Sequence, residues 1–387
     1  MKKIKVCILG GTDYSRFFSN GLYQNAWSLA KMLDVSGDFD VSIASKDKSV
    51  PNSLVGVKVR RFSKALLKKQ DIIIQIVFSL NDLETSILHK SGGKSILIKY
   101  GNNLCSDLVT FVQYSVGLKP VHDQAEWFRV NYKEPPDLVL YSPHFEFQKE
   151  YFSLTASVNS DDTKQCPYIW NPYFIKNGMK LNWAKLGGAK KGNPAYERGD
   201  KRNRSIALVE PSIAFLKTNL IPIIMTNKVF EDSSDLIEKA TVFNCNTILK
   251  ESNSKPLVNR LSTLAITRSG VLKLSPRQAM TDIFTHKARM LVSHQMMNSL
   301  NYTYFEFALN GYPFVHNSEL LSDYGYYYNG SEVLSGVKKI KEALHHDELS
   351  DLEMKKYRES CDEMIWKHSP DNEKNISTYI DLIKSVL

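Results

Sequence analysis

Paired cysteines are missing from this sequence. Its five, Cys7, Cys105, Cys166, Cys245 and Cys361, are odd in number, widely spaced and without a C-x-x-C pair. That excludes a disulfide framework and a zinc site built from paired ligands. Long apolar runs are missing too. The longest, Ile72–Leu80, is broken by Gln75 and is far too short to cross a bilayer. The basic start leads into Ile4–Leu9, which Lys5 interrupts and Gly10-Gly11 closes, too short for the apolar stretch of a signal peptide. A soluble cytoplasmic protein is expected. Glycine and proline are modest at 19 and 14, which excludes a fibrous or low-complexity chain. There is no P-loop, G-x-S-x-G or H-E-x-x-H, and no metal site is expected. The first strand-turn, Gly10-Gly11-Thr12-Asp13, lacks G-x-G-x-x-G, which argues against a dinucleotide-dependent enzyme.

What is present is a globular chain of 387 residues, 43% hydrophobic, long enough for two domains. Its 50 Lys+Arg against 41 Asp+Glu give a net charge of +9. Between Lys176 and Arg204 nine basic residues face only Glu197 and Asp200, so most of the excess sits in one short stretch. That stretch is either a solvated connection or a surface for a polyanion such as nucleic acid or an anionic membrane. On the second reading Lys190, Lys191, Arg202 and Arg204 contact that polyanion.

Strand and helix patterns alternate along most of the chain. Ile4–Leu9 reads as a buried strand, followed by a helix over Leu22–Leu33 and strands at Val41–Ala44, Ile72–Phe78, Ser95–Lys99 and Leu138–Tyr141. Residues 153–205 carry little apolar periodicity. The rhythm restarts at Ser205–Val209, with a helix over Ile213–Val229 and strands near Thr241–Phe243, Val271–Leu274, Met290–Ser293 and Pro313–His316. The C-terminus reads as helical. Two parallel α/β domains are predicted: 1–170 on the acceptor side, a basic linker 171–204, and 205–371 on the ligand side, with 372–387 packing back on the first. Ligands of open α/β sheets bind outside the carboxyl ends of the strands.

The most informative segment is 288–318. It reads as strand, polar loop, short helix, glycine stop and strand, with Glu306 one turn inside the helix and Gly311 at its far end. The amino end of such a helix offers N–H donors and a positive dipole end to a phosphate. A carboxylate one turn further in can take both hydroxyls of a ribose. His294, Asn298, Asn301 and Tyr302 lie in or beside the same loop, where His294 either binds a ligand or satisfies a backbone group. In the first domain Asn20-Gly21 allows close backbone approach before a helix. Asn102 and Asn103 follow a strand, as candidate acceptor contacts. Asp107, Asp13 and His144 are candidates for a general base, with Asp107 equally readable as a helix cap. Asp38-Phe-Asp40 is read as turn chemistry rather than a metal pair. The aromatic cluster Tyr324–Tyr328 either stacks on a ligand ring or packs.

The spacing Glu306-x-x-x-x-Gly311-x-Pro313 is similar to the nucleotide-sugar signature of GT-B glycosyltransferases. The segments Phe18–Leu33, Ile98–Asn103, Tyr168–Phe174, Val209–Pro222 and Ser293–Tyr328 extend the likeness over most of the chain. They resemble a bacterial and phage family of largely uncharacterised GT-B glycosyltransferases. The resemblance implies a GT-B fold of two Rossmann-like domains facing across a cleft. It also implies transfer of a sugar from a nucleotide-sugar, a UDP-sugar being favoured, with no tightly bound cofactor and no required metal. Glu306 then holds the donor ribose, and Lys217, with Thr218 beside it, matches the position of a cation on the donor diphosphate. Many retaining members carry a second glutamate eight residues earlier. Here that position is Asn298, which leaves the stereochemical course open. The acceptor is expected to be a hydroxymethylated base in duplex DNA, as in phage-type DNA modification. A surface or lipid-linked glycan and a non-catalytic nucleic-acid-binding role are the alternatives.

Overall fold

Apolar strands separated by amphipathic helices can bury both faces only by layering helices on each side of a parallel sheet, and the computed structural model contains two such layers. It describes residues 3–12, 21–47, 53–118, 133–177, 195–211, 216–245 and 254–387. The chain divides into two compact units, Met1–Asn171 with Trp366–Leu387, and Pro172–Ile365.

The first unit holds β1 (Ile4–Leu9), β2 (Phe39–Ser45), β3 (Ser53–Leu54), β4 (Val57–Arg61), β5 (Ile72–Gln75), β6 (Lys94–Lys99), β7 (Leu138–Tyr141) and β8 (Thr163–Gln165). They order as β3-β4-β2-β1-β5-β6-β7-β8. All pair in parallel except β3 on β4. The branched, fully buried core of β1, with Ile72, Ile73 and Ile74 of β5, explains the continuous apolar runs. Gly11 has a steric reason: a Cβ there would lie 1.8 Å from the Tyr23 ring, so the strand end and the helix Gly21–Val35 could not both keep their places. The last helix, Glu373–Lys384, belongs to this unit, and Lys384 Nζ meets Asp38 Oδ2 at 2.7 Å. Asp40 pairs with Lys58 at 3.1 Å. Both carboxylates of the Asp-Phe-Asp triplet are therefore ion-pair partners at the start of β2.

The second unit holds β9 (Ser205–Leu208), β10 (Lys239–Val242), β11 (Leu272–Leu274), β12 (Met290–Val292), β13 (Phe314–His316) and β14 (Tyr326–Tyr327). Their order, β11-β10-β9-β12-β13-β14, is parallel throughout. Both sheets run outward from their first strand and then return to its other side. The second sheet therefore reverses direction between β9 and β12, and a loop leaves each of these strands on opposite sides of the gap.

Several elements were not anticipated. The helices Asn103–Ser115 and Lys149–Ala156 and the short strands β3, β4, β8 and β14 carry too few periodic apolar positions to stand out. The helix expected over Ile213–Val229 instead runs from Leu220 to Asp232. Asn219 is the reason. Its side chain accepts from the Glu210 N–H at 3.1 Å and donates to the Glu210 carbonyl at 2.7 Å, folding the preceding loop back on the strand.

The helix Tyr302–Leu309 ends as its sequence demands. Gly311 takes φ +70°, its N–H reaches the Ala308 carbonyl, and the Tyr312 N–H reaches Phe307. The rings of Phe307 and Tyr312 close the turn at 6.1 Å. This is the two-bond glycine stop. Space around Gly311 is ordinary, the nearest atom to an added Cβ being 3.7 Å away. Gly311→Ala should therefore lower stability by the backbone term alone, about 1–2 kcal/mol. Thermal unfolding checks this, and an unchanged Tm would show that the turn tolerates a side chain.

Candidate donor site

At the reversal point of the second sheet, Glu210 follows β9 and Ser293 follows β12. The Ser293 hydroxyl donates to Glu210 Oε1 at 2.6 Å, and Gln295 Nε2 donates to the same carboxylate at 3.0 and 3.1 Å. Gln295 Oε1 in turn accepts from Asn298 Nδ2 at 2.5 Å. Tyr304 reaches Ser293 Oγ at 3.1 Å from the helix above. Glu210 is 1% exposed, and burial pushes its carboxyl up, an effect that Ser293, Lys217 and Gln295 oppose.

Lys217 lies in an extended loop residue bridged to Gln295, next to the Met296 N–H that donates to the Leu216 carbonyl. It is half-buried. Desolvation pulls its ammonium down, and the Glu210 charge raises it. No acceptor among the described residues takes a hydrogen bond from its ammonium. Its expected position on a helix is corrected to this loop, while Thr218 Oγ1 accepts from the Leu220 N–H at 3.3 Å.

Glu306 sits one turn inside the helix Tyr302–Leu309 and is 7% exposed. No donor among the described residues reaches its carboxylate, and desolvation alone pushes its carboxyl up to about 8. A buried carboxylate without a donor is costly to keep.

The neighbouring residues divide into two groups. Asn298 lies in the Glu210 network. His294 Nδ1 is 2.8 Å from the Tyr328 hydroxyl, and burial lowers its basicity. Asn301 caps the helix, its side chain accepting from the Thr303 N–H at 3.4 Å, so its expected ligand contact is already partly used. Tyr302 is the first helical residue. His316 serves the backbone: Nδ1 accepts from the Ser318 N–H at 3.1 Å, and Nε2 meets the Tyr324 carbonyl at 2.8 Å. The aromatic cluster is largely packing, with Tyr324 and Tyr328 buried.

In the first unit, Asn102 is the cap of Asn103–Ser115, accepting from the Cys105 N–H at 3.1 Å. The cap role considered for Asp107 therefore falls to Asn102, which is buried. The Asn103 N–H turns back to the Gly101 carbonyl. Asp107 is half-buried inside that helix, and Tyr151 donates to it at 2.5 Å. His144 follows β7, buried against Phe145 and edge-on to Tyr168, with ring centroids at 3.8 and 5.6 Å. Gly21 opens the helix Gly21–Val35. Asp13, Asn20, Lys190 and Lys191 lie outside the described residues.

The end of the basic run is spent inside the second unit. Asp200 binds Arg202 through two oxygens and also the fully buried Arg289 at 3.0 Å. Arg204 donates to the carbonyls of Leu236 and Asp235, and Arg198 pairs with Asp351 at 2.7 Å. Arg204 thereby ties the run to its own unit, whereas Arg202 pairs inside the run with Asp200, which in turn holds Arg289.

Glu210, Ser293, Gln295 and Tyr304 were not singled out from the sequence. The one available signal was a carboxylate directly after an apolar strand that begins a domain. Its partners in the network lie more than eighty residues away along the chain.

Two parallel sheets with the order described, the second carrying this polar cluster at its reversal point, define the GT-B fold of glycosyltransferases. A glycosyltransferase from Rickettsia africae superposes with a TM-score of 0.58 at 11% identity, over 100% of this chain and 99% of that one. Anabaena HepE in complex with UDP gives 0.55 at 10% identity over 99% and 100%. The α,α-trehalose 6-phosphate synthase of Burkholderia multivorans gives 0.59 at 9% over 100% and 97%. The chain belongs to the family described as "Protein of unknown function (DUF2827)", whose profile matches residues 6–383. Among curated proteins none matches in sequence. No helix among the described residues is long and apolar enough to cross a membrane, and none of their His, Cys, Asp and Glu side chains gather into a group that could hold a metal ion.

Proposed function

We propose that the protein is a cytoplasmic glycosyltransferase that binds a nucleotide-sugar, a UDP-sugar by preference, on its second unit and transfers the sugar to a hydroxyl acceptor. The observation that carries this reading is Glu306, a buried carboxylate with no donor among the described residues, one turn inside a helix that starts beside the reversal point of a parallel sheet. Ribose hydroxyls would supply the missing donors. Lys217 and the first N–H groups of the helix would face the diphosphate. The departing nucleoside diphosphate gains negative charge as the glycosidic bond breaks, and a preorganised ammonium stabilises that charge electrostatically. Asn298 and His294 would flank the sugar. Asp107, His144 and Asp13 remain the candidates for accepting the acceptor's proton.

For the acceptor we retain hydroxymethylated DNA, with Lys190, Lys191, Arg202 and Arg204 as its contacts, the two lysines lying outside the described residues. The test offers the protein UDP-sugars together with duplex DNA containing hydroxymethylcytosine, plain DNA or a simple glycan. Nucleosides and glycans are then read by mass spectrometry. A hexosylated hydroxymethylcytidine supports the DNA reading. Transfer to glycan alone removes it, and the absence of both nucleotide binding and donor turnover would refute the glycosyltransferase.

A further inference from the structure

A buried carboxylate is an unexpected neighbour for a diphosphate, because it repels the ligand the site is built to hold. Glu210 is such a group. It lies where β9 and β12 diverge, and two side chains of one distant segment, Ser293 and Gln295, converge on it, while the backbone of Lys217 is bridged to that same Gln295. Resting on the donor-site reading above, we infer that Glu210 is a positioning residue, which fixes Lys217 and the turn from Gln295 to Asn298 in place for the nucleotide-sugar.

The argument has two parts. The first is geometric. Both oxygens of Glu210 accept from Gln295 Nε2, and this leaves Gln295 Oε1 turned toward Asn298 Nδ2. A carboxylate offers acceptors only, so it dictates which end of the Gln295 amide faces it. A neutral amide in its place offers one acceptor and one donor, and the orientation of Gln295, and with it of Asn298, is no longer dictated.

The second part is electrostatic. Lys217 loses solvent in this pocket, and Glu210 opposes the resulting loss of basicity. Other titratable groups face the pair from each adjoining element: Tyr304 from the helix, Tyr328 after β14 and His294 after β12. Burial and the Glu210 charge push both tyrosines far above the neutral range, and burial lowers His294. On the alkaline side the pocket therefore answers mainly through Lys217. Glu306 titrates near 8, and its ionisation favours ribose binding rather than opposing it.

Two measurements test this. In the first, the reactivity of Lys217 toward trace acetic anhydride is followed against pH by peptide mass spectrometry, with no nucleotide present. In Glu210→Gln the midpoint should fall by about one pH unit or more, as expected for loss of a close opposite charge. Glu210→Asp should keep the wild-type midpoint. In the second, UDP-glucose binding is measured by calorimetry between pH 7 and 10. The alkaline loss of affinity should begin at lower pH in Glu210→Gln and at the wild-type pH in Glu210→Asp. Gln295→Leu retains the carboxylate and should keep the wild-type Lys217 midpoint while binding UDP-glucose about 3–10-fold more weakly. Unmoved midpoints in Glu210→Gln, or wild-type affinity in Gln295→Leu, overturn the inference. Wild-type protein that fails to bind UDP or UDP-glucose overturns the donor-site reading instead, and the acetylation result then stands apart from it. If Glu210→Gln does not fold, Gln295→Leu still decides the geometric part.

Discussion

Glu306→Ala should bind UDP-glucose at least about 10-fold more weakly than the wild type, and the wild-type affinity should itself rise with pH. A hydrogen bond to a charged group contributes about 1.5–3 kcal/mol, and each 1.4 kcal/mol is tenfold in affinity. The carboxyl of Glu306 is held near 8 in the free protein because nothing around it favours the ionised form. Ribose hydroxyls do favour that form, so binding must draw the proton off. Below pH 8 the site carries that proton and affinity is reduced, by up to about tenfold per pH unit. Above pH 8 the gain levels off. UDP-glucose suits the measurement because its diphosphate stays fully ionised throughout. Calorimetry at neutral pH in buffers of different ionisation enthalpy should register close to one proton released per nucleotide bound. Glu306→Gln should release none and show a flat profile from pH 6 to 8. Wild-type affinity in Glu306→Ala, or equal proton release in Glu306→Gln, would remove Glu306 from the ribose.

The same residue should be a burden on the folded state. Its carboxyl ionises near 8 when folded, against an ordinary value of 4.5. Between those values the unfolded chain has lost the proton and the folded chain keeps it, so the folded state binds more protons. Stability contributed at this position therefore falls as pH rises from about 4.5 to 8, and the full penalty is present above 8. The gap would permit roughly 4–5 kcal/mol at about 1.4 kcal/mol per unit, and relaxation of the pocket reduces that to roughly 2–4. Glu306→Gln keeps the shape without the charge. It should match the wild type in denaturant unfolding near pH 4.5 and exceed it by a growing margin toward pH 8.5. A margin that does not change with pH would mean that the carboxyl is not the cause. A variant that gains stability while losing ligand is what a group kept for binding should give.

Much of the second unit's site was legible in order along the chain. A polar loop, a short helix with Glu306 one turn inside, and a glycine stop are local features, and local rules govern them: Asn301 caps, Gly311 takes φ +70°, and the Phe307 and Tyr312 rings close the turn. Lys217 is legible as a cation near the first strand of the second unit, where the sequence pattern predicts a helix. A loop fastened by Asn219 to Glu210 holds it instead, and no helical periodicity reports such a tie. The basic run shows the other limit. Its charge count is a property of composition, but the direction of each guanidinium depends on partners elsewhere: Asp351 for Arg198, and the carbonyls of Asp235 and Leu236 for Arg204.

The sequence by itself determined the parallel α/β class, because continuous apolar strands alternating with amphipathic helices leave few other ways to bury both faces of a sheet. It also determined the glycine stop after Glu306, because a positive φ selects glycine locally. Only the tertiary structure decided that Glu210 underlies the candidate site, that Lys217 is half-buried and Glu306 buried with no side-chain hydrogen-bond partner among the described residues, and that Arg204 donates to the Asp235 and Leu236 carbonyls. Those facts depend on which groups meet after segments far apart in the chain are packed together. Desolvation and charge act through space, and sequence spacing carries no record of that distance.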